Sequence, residues 1–476
     1  MIWLVARREL ADHIYSRRFF GALAFFVLLL SAGTWVLAQD QENEREALAP
    51  FLDQTRYRES VQGSNAARLV GGGVFVSRPL PPFRGLVRGL EDLSLVAQVK
   101  GGNYILYLRR PFVGNPTGRL FADFDLVFAV GVLASLVALF FTYDAVAGER
   151  ERGTLRLLLA HGAGRSRILA GKFCGAMLAL ALVLAPSLAA ALLVSGVSSI
   201  SDWGRVGALL GAASLLYGAV FVSLGLLVSC LCSQARSALV AALGLWSMLV
   251  WVLPAGGVYL ASSLAGAPAW LAVEANINHV RWQAENDGWQ EMSGHLAAQG
   301  WGDLEQAQWN LDWGSWSDGL LRLYEPVGDE AWGGLARFGS GVMRRQLRAM
   351  ETRAGRLKAD FAVQRRREIE WGRNLARLSP FGAFTFLATD LARAGVGAEL
   401  EFRRRVERFK GELVGFLDRQ LQERGFWDEV DANDLPYFSF EPEAPPFEGA
   451  AEAVLLLAYA LAAFVGAQAV LRRTAV

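Results

Sequence analysis

Six apolar blocks constrain this chain more than any other feature. Each is near or above the roughly 20 residues a helix needs to cross a bilayer. They are Phe20–Ala38, Leu126–Thr142, Phe173–Ser201, Val206–Gln234, Ser237–Val273 and Ala453–Leu471, and none contains Asp, Glu, Lys or Arg. One such block alone reads equally well as a buried core helix. Six of them, in 476 residues of which 53% are hydrophobic, read as a polytopic α-helical membrane protein with six transmembrane helices.

Lys and Arg in short loops are retained in the cytoplasm, so their placement orients the spans. Arg7, Arg8, Arg17 and Arg18 precede the first block, and Arg150, Arg152, Arg156, Arg165, Arg167 and Lys172 lie between the second and third. Arg236 separates the fourth from the fifth, and Arg472 and Arg473 follow the sixth. All fall on one side if both termini are cytoplasmic. Val36-Leu37-Ala38 has the form of a signal cleavage site. However, the apolar run is longer than a signal core and the preceding region mixes Glu9 and Asp12 with its arginines, so a retained span is expected.

This topology divides the chain into residues 1–38 (an amphipathic leading segment and span 1), 39–121 (a first extracytoplasmic insertion), 122–263 (spans 2–5), 264–449 (a second extracytoplasmic insertion) and 450–476 (span 6 and a short tail). The first insertion is smaller and mixed. Gln41–Ser60 reads as a charged helix, Tyr104–Leu108 as a strand by its β-branched and aromatic content, and Asn115–Gly118 as a turn. The second is large and mainly helical. Phe402, Val406, Phe409, Leu413 and Phe416 form a stripe stepping by four and three. Met343–Trp371 predicts a helix about 44 Å long at 1.5 Å per residue, with Gly355 a place where it bends or breaks. Ser379-Pro380-Phe381-Gly382 separates the two, which predicts an antiparallel helical hairpin.

Eight of the 15 tryptophans lie between Trp270 and Trp332, and Trp309, Trp313 and Trp316 share one helical face. They read as core or interface packing, or as an aromatic surface for a hydrophobic ligand. The three cysteines, Cys174, Cys230 and Cys232, fall in the apolar blocks, so no disulfide is expected to hold the insertions. No phosphate-cradling G-x-x-x-x-G-K-[ST], no G-x-S-x-G elbow and no H-E-x-x-H is present. The four histidines lack metal-ligand spacing. The chain is therefore read as a non-enzyme, with no catalytic residues, metal or directly bound cofactor. Carriers driven by protons or ions keep ionisable groups within the membrane, and apolar blocks without them predict energy supplied from outside the spans.

The loop from Asp144 to Lys172 offers a route for that energy. Glu149, Arg150, Glu151 and Arg152 alternate charge on a short helix, Gly153-Thr154 permits a bend, and Leu155 opens an apolar run. Such an element suits salt-bridged docking to a soluble partner, or is an ordinary solvated positive-inside loop. The text G-E-R-E-R-G-T-L over Gly148–Leu155, followed by Ser166-Arg167 and Gly171-Lys172, resembles the coupling loop of ABC transporter permeases of the type-2 exporter family. The basic leading segment Ile2–Arg18 and the layout of insertions are similar too, in the manner of the permeases of copper-site maturation and gliding-motility systems. So is Ser379-Pro380 followed by Phe386–Asp390.

The resemblance implies a multi-pass permease subunit of a bacterial cytoplasmic membrane. Glu149, Arg150, Glu151, Arg152, Gly153, Thr154, Leu155 and Arg167 would be its ATPase-coupling residues. ATP and Mg would be held by a separate ABC ATPase. The other partners implied are a second permease copy or a paralogue, membrane lipid and an extracytoplasmic protein, with no nucleic acid. Substrate translocation, most naturally export, is the function implied. A mechanotransmission subunit that moves an outer partner without transport is the alternative, and a membrane receptor or scaffold is a third reading.

Overall fold

The computed structural model describes residues 2–52, 61–90, 94–101, 104–108, 124–155, 164–195, 200–266, 268–300, 329–440 and 449–473. The architecture is an apolar helical bundle carrying a mixed head. The leading helix α1 (Ile2–Ile14) is followed by α2 (Arg17–Leu52), whose apolar first half passes without a break into a charged second half. A short helix α3 (Ala66–Gly72) and three strands, β1 (Val74–Ser77), β2 (Val96–Lys100) and β3 (Tyr104–Leu108), come next. The bundle resumes with α4 (Leu126–Phe140), α5 (Ala147–Glu151), α6 (Arg165–Val194), α7 (Ile200–Leu231) and α8 (Ala235–Ala265). The helices α9 (Trp270–Ala298), α10 (Asp329–Ala376), α11 (Pro380–Leu391) and α12 (Val396–Glu423) lead to the last, α13 (Ala450–Arg473).

Among the described residues, five helices are long and apolar enough to cross a membrane: Phe19–Ala49 within α2, α6, Gly204–Leu231 within α7, α8 and α13. The helix α4 is apolar but shorter. Two apolar blocks are divided differently from the sequence expectation. The third ends at Val194, because residues from Ile200 onward already belong to α7. The fifth ends at Ala265, where Gly266 takes the left-handed conformation at φ 57° and stops the helix before Pro268. The helices also extend past the uncharged blocks. Lys172 is thus enclosed in α6 and Glu452 in α13, both buried, so the helices do carry ionisable groups near their ends.

Tyr217 sits at the centre of the bundle, fully buried beside Phe221 and stacked on Phe384 with ring centroids 4.6 Å apart. Its hydroxyl donates to the Gly131 carbonyl at 2.7 Å. Gly131 lies in a π-helical stretch, Ala129–Ala134, inside α4, and Ser135 Oγ donates to the same oxygen. A second π stretch, Met248–Val252, interrupts α8 just before Pro254. Such stretches are rare inside α-helices and are frequent at functional sites. Pro186 lies inside α6 without ending it.

The head has its own core. The strands form an antiparallel sheet in the order β1-β2-β3, with Val74 opposite Val99 and Val96 opposite Leu108. One face buries Val74, Val76, Ala97, Val99 and Ile105. These residues join the stripe Phe402, Val406, Phe409, Leu413 and Phe416 of α12, together with Trp289 and Met292 of α9 and Leu347 of α10. Segments far apart in the chain therefore share one core. The helices α10 and α12 are antiparallel. Arg344 and Arg348 both reach Asp418, while further along α10 Glu351 meets Lys410, which lies earlier on α12. Gly355 does not break α10, since a single helical glycine costs only about 1 kcal/mol. The expected hairpin gains a third part, because α11, between its arms, belongs to the bundle core.

A buried ion pair joins the sheet to α12. Arg78 Nη2 lies 2.9 Å from Glu399 Oε2, and both side chains are almost fully enclosed. Ser94 donates to both Glu399 oxygens, Arg403 to one, and Arg78 also donates to the Ala398 carbonyl. Burial pushes the Arg78 guanidinium down to about 10, with Glu399 opposing the shift. Breaking a buried pair from one side leaves the other charge uncompensated. Glu399→Gln should therefore destabilise the head by about 3–5 kcal/mol, and Arg78→Met with Glu399→Leu by clearly less. Thermal unfolding of the purified full chain checks both. Equal losses in the two variants would contradict this account.

Candidate functional site

The short helix α5 follows the turn after α4, and α7 caps it. Ser229 Oγ accepts from the Val146 and Ala147 amides at 2.9 and 3.0 Å, which satisfies donors that a helix start leaves open. Gly153 at φ 74° then turns the chain outward, a conformation that glycine adopts without steric cost. Thr154 Oγ1 donates back to the Glu149 carbonyl, and Leu155 is buried.

The alternating charges of α5 have distinct partners. Glu149 turns inward, and its Oε1 lies 2.7 Å from Lys172 Nζ on α6. The same ammonium contacts Glu9 on α1, so one lysine with a 3% exposed side chain holds three elements together. Arg150 donates to the carbonyls of Cys232 and Cys230 at 3.0 and 3.4 Å, at the C-terminal end of α7. Glu151 Oε2 accepts from the Ala235 amide at 3.1 Å, at the first residue of α8. Each sign suits its helix end: a cation meets terminal carbonyls and an anion meets terminal amides. Arg152 Nε donates to the Gly148 carbonyl.

Glycine lets α1 lie directly on α6. A Cβ at Gly171 would stand 2.6 Å from Val5 Cβ, and one at Gly175 2.6 Å from Glu9 Cβ. Close helix approach over a small-x-x-x-small pair is a device of membrane bundles. At the same end, Arg165 donates to the Arg472 carbonyl and Arg472 to Ser166 Oγ, fastening α6 to the end of α13.

These bonds sort the coupling residues expected from sequence. Glu149 and Arg150 face the protein and Leu155 is buried, whereas Glu151, Arg152, Gly153, Thr154 and Arg167 are exposed. Residues 156–163 lie outside the described residues, as do Trp309, Trp313 and Trp316. Sequence reasoning did not select Glu9, Gly175 or Ser229. The spacing Gly171-x-x-x-Gly175 was the available signal for the first two, since it places both glycines on one helical face. Nothing local marks Ser229.

Lys172→Met should leave Glu9 and Glu149 as neighbouring half-buried anions and cost about 3 kcal/mol, the lower end of what breaking a buried pair costs. Gly171→Leu should displace α1 by steric contact alone. Thermal melting together with protease sensitivity of the α1–α2 junction checks both. Unchanged melting of Lys172→Met would show that the three-element tie contributes nothing.

Comparison with known proteins gives the family of the chain. The family described as "ABC-2 family transporter protein" matches residues 3–303, which is more than half of the chain and includes the whole α1–α5–α6 contact. A probable ABC transporter permease protein NosY of Pseudomonas aeruginosa is 42% identical over 123 residues, 25% of this chain and 44% of that protein. The protein of the same description from Stutzerimonas stutzeri is 41% identical over 125 residues, 25% of this chain and 45% of the relative. The chain thus spans less than half the length of these curated relatives. On the match over residues 3–303, the chain is a multi-pass membrane protein of the ABC-2 transporter family.

Proposed function

We propose that this chain is the membrane-spanning permease subunit of an ABC transporter, driven by a separate ATPase that binds ATP and Mg. The observation that carries the reading is the construction of α5. Its inward side chains, Glu149 and Arg150, tie it to α6 and α7, Glu151 ties it to α8, and Lys172 carries the tie on to Glu9 of α1. Its far side presents Glu151–Thr154 to solvent. A force applied to that tip reaches four helices through short polar contacts. In this reading α4 is the sixth span, both termini are cytoplasmic, and the head is extracytoplasmic. The apolar residues Ile2, Trp3 and Leu4, exposed on α1, rest in the lipid interface of the bacterial inner membrane. Two permease subunits, identical or paralogous, pair above two ATPases. Export is the direction we favour. The relatives described as ABC transporter permeases support the subunit type.

A second reading is favoured by one observation. The helix α10 is 48 residues long, about 72 Å at 1.5 Å per residue, which suits a lever that moves an external protein without transport.

Co-purification in mild detergent with an ABC ATPase encoded beside the gene tests the subunit assignment. Wild type should retain the ATPase. Glu151→Lys with Arg152→Glu should lower retention at least about tenfold, the loss of roughly 1.4 kcal/mol of association energy, while inserting normally. Purification of wild type without any ATPase would sink the reading. Equal retention by both forms would move the contact away from the α5 tip.

A further inference from the structure

The end of α10 is locked to the bundle by a buried carboxylate. Glu452, in the first turn of α13, has no exposed side-chain surface. Its Oε1 lies 2.7 Å from Arg373 Nη2 and 2.5 Å from Arg377 Nη2. Arg373 also pairs with Asp390 of α11 at 2.9 Å, and its guanidinium lies 5.5 Å from the centre of the Phe386 ring. Tyr459, two turns further along α13, donates its hydroxyl to the Arg377 carbonyl at 2.8 Å.

The four-residue step from Arg373 to Arg377 places both guanidiniums on one face of the end of α10. That end also touches α8: Ser379 Oγ donates to the Leu249 carbonyl in the π stretch, and Gly257 packs against the Leu375–Ala376 backbone. Ser379 then caps α11 by accepting from the Phe381 and Gly382 amides. The helix α11 has 12 residues, about 18 Å, too short to cross the bundle, and it enters the core to stack Phe384 on Tyr217. The base of the longest helix in the described residues is therefore fixed to α8, α11 and α13 within seven residues, Arg373–Ser379.

We infer that Glu452 is a positioning residue that makes α10 and the last span move as one body, so that motion of the bundle is delivered to the head through α10. This rests on the proposed ABC assignment for the source of the motion, but not for the lock itself. A carboxylate shared by two arginines from another helix fixes both the register and the angle of that helix. Opening this joint would leave an uncompensated buried charge, so it resists separation and transmits rotation instead of absorbing it.

The test uses the full chain in lipid nanodiscs, with Cys174, Cys230 and Cys232 replaced by alanine. Spin labels are placed at Val363→Cys on α10 and Val465→Cys on α13, both exposed positions. With Glu452 intact, one narrow α10–α13 distance is expected. Glu452→Gln should broaden the distribution at least about twofold by unpairing the two arginines, and Glu452→Asp should restore it. Arg377→Gln gives the same reading should Glu452→Gln fail to insert. A distribution as narrow in the Gln variants as in wild type overturns the inference. Repeating the measurement with the ATPase and ATP separates the two ideas. If ATP moves neither label nor the α5 tip while Glu452→Gln still broadens the distance, the lock stands and the ABC assignment is the part that fails.

Discussion

Hydrocarbon has no water with which to satisfy a broken backbone ladder, so any interruption of a spanning helix must be answered from within the protein. The bundle depends on two such answers. In α4 the π stretch presents the Gly131 carbonyl, which the Tyr217 hydroxyl meets from α7. In α8 the π stretch before Pro254 presents the Leu249 carbonyl, which Ser379 meets from the joint between α10 and α11. Trp246 adds a bond to Ser135, bringing α8 against α4. Ordinary helices would pack here by shape alone. These contacts give the packing a register, and they carry the chain between α10 and α12 into the bundle.

The two ends of the bundle solve a second problem with opposite charges. At one end Lys172 is held between Glu9 and Glu149, and at the other Glu452 is held between Arg373 and Arg377. Each is a single buried charge shared by two partners on other elements. An isolated buried charge would be prohibitive, and a fully paired one is close to neutral, so the contribution lies in specifying which surfaces meet. The lysine gathers α1, α5 and α6. The glutamate gathers α10 and α13 beneath the head. The path between them runs through α7, which caps α5 with Ser229 and holds Tyr217 against Phe384 of α11.

Much of the bundle was legible in the sequence. Blocks without charge demand burial in lipid or protein, and among the described residues five of the six supply the apolar stretch of a helix long enough to cross a membrane, with the third and fifth running past their helix ends. The β3 strand and the Phe402–Phe416 stripe were legible too, because β-branched and aromatic content and heptad spacing are local signals. Block edges were less clear. Hydropathy does not register a helix stop such as Gly266, nor a charged residue that a helix carries inward, such as Lys172. The candidate site was half legible. The charged run Glu149–Arg152 announces an unusual loop, but which charges face inward depends on where the ends of α7 and α8 stand.

From its sequence alone this chain determines a membrane-embedded helical class, a charged loop of ABC-2 form and a mainly helical stretch between the fifth and sixth apolar blocks, because hydropathy, charge and periodicity act over one or two turns of chain. Tertiary structure decided that Glu149 is a tie and Thr154 a surface, that segments near Val74 and Phe402 share a core, and that α11 sits inside the bundle. Those outcomes depend on pairs such as Arg78–Glu399 and Arg373–Glu452, whose members lie far apart in the chain. A buried charge chooses its partner by distance in space, and no local pattern in the sequence records that distance.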